Sequence, residues 1–186
     1  MIDQIKKCQK CGLCNNQKPL MDCKKECQIV WVGLSAKKIE SDDEIPLSVN
    51  TNTGMLINNI ELKIGDVSTY KTNLVKCLPL NEEEKLRYPN KKEIDSCIGN
   101  LKKEINQLSP KIVFLLGEKV YSSVGKHFDI KFDKWKEFDY FYKENNGVYY
   151  VPIHHPSYIY VYKRKKVDQY IQSIQNIVNN LLETSL

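Results

Sequence analysis

Hydrophobic and polar positions along this chain fall into blocks that alternate between two periodicities. Ile29–Leu34 (IVWVGL) is a continuous apolar run, the signature of a strand buried on both faces. Gly54–Ile64 places Leu56, Ile57, Ile60 and Ile64 on one side of a helix. Tyr70–Leu78 reads as a second strand. Asn90 then has the character of an N-cap, with Glu93 three residues on completing a capping box. From there Ile94, Cys97, Ile98, Leu101, Ile105 and Leu108 recur at helical spacing until Ser109-Pro110 stops the helix. Lys111–Gly117 (KIVFLLG) is a third buried strand, Glu118–Phe128 a helix, and Val148–Ile153 a fourth strand. The last helix carries Val167, Ile171, Ile174, Val178 and Leu181 on one face.

Strands separated by helices imply a parallel sheet covered on both faces. The expected fold class is therefore α/β, a three-layer α/β/α arrangement around a central, mostly parallel four-stranded sheet. Ligands of such sheets bind beyond the carboxyl ends of the strands. That rule places chemistry just after Gly33, Asn73, Gly117 and His155. The 186 residues suit one domain spanning 1–186. The cysteine-dense stretch 8–27 is too short to be a second.

Composition narrows the class. The 41% apolar content is too high for a disordered chain. No apolar run approaches a membrane span, and MIDQIKKCQK lacks a signal-peptide core. A cytoplasmic monomer without a membrane partner is the expectation. The net charge of +5 permits nucleic-acid binding without demanding it.

Seven cysteines are many for such a protein: Cys8, Cys11, Cys14, Cys23, Cys27, Cys77 and Cys97. An odd number without a signal peptide argues against a disulfide framework. Cys8-x-x-Cys11 lets two sulfurs reach one metal centre. Partnered with Cys23 and Cys27 it would make a local four-thiolate zinc site. Partnered with Cys77 and Cys97 it would hold an iron–sulfur cluster. Small buried core residues are the third possibility.

The order of motifs then adds a resemblance. CQKCGLC, IVWVG, TNLVKCLPL, EIDSC, LSPKIVFLLG and HHPS succeed one another over roughly residues 8–160. In that order they resemble the iron–sulfur uracil-DNA glycosylases, families 4 and 5 of the uracil-DNA glycosylase superfamily. The resemblance implies a structural 4Fe–4S cluster on Cys8, Cys11, Cys77 and Cys97, tying the N-terminal segment to a strand end and a helix. It gives Cys14, Cys23 and Cys27 no role.

It also implies an enzyme that hydrolyses the N-glycosidic bond of uracil or a related modified base in DNA, within base-excision repair. A glycosylase flips its base out of the duplex and reads the exposed edge. Asn73 is the edge reader, because an amide offers both donor and acceptor to uracil O4 and N3–H; its other reading is a strand-end residue bonding backbone. His155 is the electrophile, donating to uracil O2 as charge builds there; His154 is its decoy. Ser157 and the following Tyr158, Lys163, Arg164 and Lys165 are the expected DNA contacts. Tyr158 or Ile159 is the candidate wedge into the stack.

The first motif departs from the pattern. Family 4 reads GEAPG and family 5 GLAPA, whereas this chain reads Gly33-Leu34-Ser35-Ala36-Lys37. Leu34 replaces a carboxylate and cannot deprotonate water. Lys37 would obstruct the pocket or contact phosphate. Downstream, Leu47 stands where family 4 has a stacking Phe. The base pocket is thus expected from Gly33, Leu34, Ser35, Leu47 and Asn73. Asn50, Thr51 and Asn52 are candidates for holding water. The acidic cluster Glu40, Asp42, Asp43 and Glu44 is either a substitute carboxylate or, more simply, a solvated loop. Two rivals remain: a glycosylase for a different modified base, and a catalytically silent DNA-binding or lesion-sensing protein.

Overall fold

Successive side chains along a strand point to opposite faces of a sheet, so each strand here feeds two cores. Val30, Val32, Val113, Leu115 and Tyr150 pack on one side; Ile29, Trp31, Ile112, Phe114, Leu116, Val151 and Ile153 pack on the other. The computed structural model describes residues 2–24, 26–41 and 43–183. Its elements are α1 (Ile2–Ile5), β1 (Ile29–Ser35), α2 (Asn52–Ile64), β2 (Thr69–Val75), α3 (Lys91–Leu108), β3 (Ile112–Leu116), α4 (Glu118–Phe128), β4 (Lys143–Asn145), β5 (Val148–Ile153), α5 (Pro156–Tyr162) and α6 (Val167–Glu183). Helices α1, α3 and α4 cover the first face, and α2, α5 and α6 the second. No helix among the described residues is long and apolar enough to cross a membrane.

The sheet has five strands in the order β2-β1-β3-β5-β4, not the expected four. The first four pair in parallel; β4 is the antiparallel addition. It escapes pattern reading because Lys-Glu-Asn has no apolar face to alternate. The turn that makes it is legible, however. Asn146 and Gly147 have φ of 55° and 79°, the paired positive values that a two-residue hairpin needs. One further expectation shifts. The second strand stops at Val75, so Cys77 lies beyond it. The segment after His155 folds as α5, followed by a separate 3-10 turn at Arg164–Lys166.

The predicted capping box is present: Asn90 Oδ1 accepts from Glu93 N, and Glu93 Oε2 accepts from Asn90 N. Ser109 ends α3 in the left-handed region, just before Pro110.

β2 is an edge strand, and its free side is covered by the N-terminal segment. Asp22, only 3% exposed, accepts from Lys71 N at 3.0 Å, and Leu20 N donates to Lys76 O at 2.8 Å. Beneath β2 lies a fully buried ion pair between Lys76 and Glu104. Lys76 Nζ also donates to Thr72 Oγ1 and to the Asn73 carbonyl, each at 2.6 Å. Glu104 accepts in addition from Tyr70 Oη at 2.9 Å. Removing one partner of such a pair leaves an uncompensated buried charge. Lys76→Met should therefore cost about 3–5 kcal/mol in urea unfolding, and adding Glu104→Gln should restore part of that loss.

Candidate active site

Four connections at the carboxyl end of the sheet enclose a cleft of about 640 Å³. Gly33, Leu34, Ser35 and Lys37 come from the end of β1, Asn73 from β2, Gly117 and Glu118 from the end of β3, and His155, Ser157 and Tyr158 from the end of β5. The topology thus brings together the four positions that pattern alone singled out.

Gly33 and Asn73 are register partners on adjacent strands. A Cβ on Gly33 would collide with Asn73 Oδ1 and come within 2.9 Å of Leu47 Cδ2. The missing side chain is therefore what makes room for the amide. Asn73 is 2% exposed, and its Oδ1 has no hydrogen-bond partner among the described residues. An unpaired buried acceptor is costly, typically about 1–3 kcal/mol, and an N–H on a bound molecule would relieve it. The alternative of an Asn whose side chain bonds backbone finds no such bond for Oδ1.

His155 is the N-cap of α5, with Pro156 at the first helical position. Its Nδ1 accepts from Ser157 N at 3.3 Å and lies 2.7 Å from Ser157 Oγ. Because Nδ1 serves as an acceptor, the neutral ring carries its proton on Nε2, which is left free to donate. Burial holds the imidazole pKa below its ordinary 6.5, favouring that neutral form. His154 is committed elsewhere. Trp135 Nε1 donates to its Nε2 at 3.3 Å, its Nδ1 lies 2.7 Å from Tyr140 Oη, and it does not line the cleft.

The other expected residues divide. Leu34, Ser35, Leu47, Ser157, Tyr158 and Lys37 line the cleft; Lys163, Arg164 and Lys165 lie beyond α5 and do not. Ile159 is fully buried in the α2/α5/α6 core, so it cannot serve as a wedge. Of the polar loop, Thr51 reaches the cleft, but its hydroxyl caps α2 by accepting from Gly54 N and donates to Ser48 O. Asn50 and Asn52 do not line it. Asp43 and Glu44 face a different hollow, where Glu44 pairs with Lys37 at 3.3 Å. Asp42 lies outside the described residues. Sequence reasoning missed Thr53, Tyr88, Glu118 and Lys119. Of these only Glu118 and Lys119 had a signal, their place directly after the third strand.

The cysteines also sort themselves. Cys8, Cys11, Cys77 and Cys97 line one small cavity between the N-terminal segment, the end of β2 and α3. Lys76 N donates to Cys97 Sγ at 3.4 Å, and Asn100 Nδ2 to Cys8 Sγ at 3.3 Å. Cys14 packs beside them. Cys23 is exposed, whereas Cys27 sits in the hydrophobic core with its thiol pushed up to about 12 by burial. Neither lines the cavity of the other four. No three His, Cys, Asp or Glu among the described residues converge on a point that would hold a single metal ion.

A family model described as the uracil DNA glycosylase superfamily matches residues 21–178. The chain belongs to that superfamily. It is 28% identical over 137 residues to a type-4 uracil-DNA glycosylase of Saccharolobus solfataricus, covering 72% of this chain. It is 29% identical over 117 residues to one of Pyrobaculum aerophilum, covering 61%. These matches span 61% and 57% of the relatives' own lengths. The crystal structure of wild-type Pedobacter heparinus SMUG2 superimposes with a TM-score of 0.55 at 14% identity, covering 85% of this chain and 77% of that one. That likeness is one of fold.

Two outcomes test the cleft as built. Gly33→Ala should displace Asn73 or Leu47 and cost about 1–3 kcal/mol by denaturant unfolding. A histidine held below its ordinary pKa binds fewer protons folded than unfolded, so stability must fall as pH drops below 6.5. His155→Asn, which keeps a capping acceptor, should flatten part of that fall in unfolding titrations between neutral and acid pH.

Proposed function

We propose that this protein is a DNA glycosylase that hydrolyses the N-glycosidic bond of uracil or a closely related base in DNA. The observation that carries the reading is the meeting of Asn73 and His155 on one cleft, the first with an unpaired buried amide oxygen, the second with a free Nε2 donor. Uracil N3–H would donate to Asn73 Oδ1 while Asn73 Nδ2 donates to O4. Cytosine has no N3–H and carries an amine at C4, so it would leave the acceptor unpaired.

As the glycosidic bond breaks, negative charge moves onto the base. His155 Nε2–H would donate to O2, and a neutral donor preset in a buried pocket stabilises that charge without reorganisation. Gly33 and Leu47 shape the space beside the amide. Leu34 supplies no carboxylate, so bond breaking leads and water captures the sugar cation afterwards. Ser157 fixes the histidine tautomer, and Tyr158 with Lys163, Arg164 and Lys165 would contact the DNA backbone. The family 5-like motif fits this dissociative course.

We further infer that Cys8, Cys11, Cys77 and Cys97 hold a 4Fe–4S cluster, which supplies a structural tie between three segments. Their shared cavity and the N–H donors to two of the sulfurs support it. The exposed Cys23 and the core-buried Cys27 do not favour the zinc set.

Oligonucleotides carrying uracil, hypoxanthine or bulkier modified pyrimidines, treated with the protein and then with alkali, test the activity. Scission is expected at uracil. Asn73→Ala and His155→Ala should each slow release by roughly 10²–10³-fold while remaining folded. Scission at another base alone would favour the rival specificity, which the Leu47 substitution motivates. Tight DNA binding with no scission anywhere would favour the silent module. Cys77→Ser should lose iron and visible absorbance and unfold more easily; a colourless wild type with stoichiometric zinc would overturn the cluster.

A further inference from the structure

The mouth of the cleft carries large aromatic side chains in water. Tyr88 is 69% exposed, Tyr162 72% and Tyr158 39%, and all three line the cleft. They come from connections on either side of β1 and β3: Tyr88 follows β2, and the α5 pair follows β5. On the α5 side the rings form a column. His154 stacks on Tyr158 at 5.6 Å and 14°, and Tyr158 meets Tyr162 at 5.2 Å and 38°. The base of that column is fixed, because Trp135 and Tyr140 hold the His154 ring. On the other side Lys119 Nζ sits 4.7 Å from the Tyr88 ring centroid.

Exposed apolar surface concentrated at one opening marks an interaction site. Its setting is cationic. Lys119 lines the cleft, as does Lys37, whose charge is already paired with Glu44; Lys163, Arg164 and Lys165 continue past α5, and Glu118 is the one acidic residue among the described lining residues. Aromatic faces beside cations are the chemistry that holds an unpaired nucleic-acid strand. In a duplex the base faces are already stacked on one another, and a ring at the rim reaches one only by unstacking a step, a cost an unpaired strand does not carry.

We propose that this aromatic rim is a stacking surface for unpaired DNA, so that the protein takes its target from single-stranded or locally melted DNA. The proposal rests on the glycosylase reading for what enters the cleft, yet it is read by binding rather than by catalysis. Flanking bases stack on Tyr88 on one side and on the outer ring of the α5 column, Tyr162, on the other. Lys119, Lys163, Lys165 and Arg164 neutralise the phosphates between them.

Fluorescence anisotropy of the full chain with a labelled oligonucleotide, single-stranded and as a duplex, tests this. The single strand should bind at least tenfold more tightly at equal salt. Tyr88→Ala and Tyr162→Ala should each weaken single-strand binding about tenfold, and the Tyr→Phe variants should retain it. Replacing the flanking bases with abasic sites should weaken the wild type but have little further effect on Tyr88→Ala or Tyr162→Ala, because base and ring are the two halves of one contact. Equal or tighter duplex binding, tighter binding of the matching RNA, or Tyr→Ala variants that bind like wild type would each overturn the proposal. If these binding results hold but no base is released, the glycosylase reading fails and the stacking surface stands; release of uracil with no single-strand preference has the opposite meaning.

Discussion

The ammonium of Lys76 is the point through which the parts of this molecule are joined. It is fully buried, pairs with the equally buried Glu104, and holds the carbonyl of Asn73. The peptide N–H of the same residue donates to Cys97. A charge in that position cannot be left unpaired, so α3, which carries Glu104 and Cys97, must sit against β2 in one register. That register presents the Asn73 side chain to the cleft while placing Cys77 and Cys97 on the cavity they share with Cys8 and Cys11. The cysteine site and the amide are therefore set by one packing contact, although they serve different ends.

Within the cleft the same economy holds for His155. Its position comes from the end of β5, its orientation from capping α5, and its tautomer from the Ser157 N–H. Burial keeps the ring neutral. In the proposed reaction a neutral donor and an unpaired amide acceptor suffice to recognise and stabilise a departing pyrimidine, which is why a leucine at position 34 is compatible with chemistry. Asn73 and Gly33 then act as a pair: the glycine has no side chain because the amide occupies that space.

Much of this was legible in the chain. Strands β1 and β3 announced themselves as apolar runs, α3 by its capping box and helical stripe, and the cleft by the rule that ligands lie past the carboxyl ends of parallel strands. What escaped had no periodicity to betray it. Strand β4 is three polar residues held by a neighbour and a turn. Helix α5 is a two-turn element that begins at a histidine cap. Tyr88, from a loop, and Thr53, from the first turn of α2, reach the cleft only because segments distant in sequence fold over the same strand ends.

The sequence by itself determined the α/β class, the order of the principal elements, and the residue types available for chemistry, because these depend on local periodicity and on side-chain functional groups. Tertiary structure alone decided which of those groups meet. Four of the seven cysteines share a cavity, one lies beside it, and two are excluded because one segment of chain crosses the β2 edge and turns the rest away. One of two adjacent histidines faces the cleft because His155 caps α5, which leaves it a free nitrogen, whereas the half-buried His154 is held among aromatic rings. Such choices rest on contacts between residues tens of positions apart, and no local pattern encodes them.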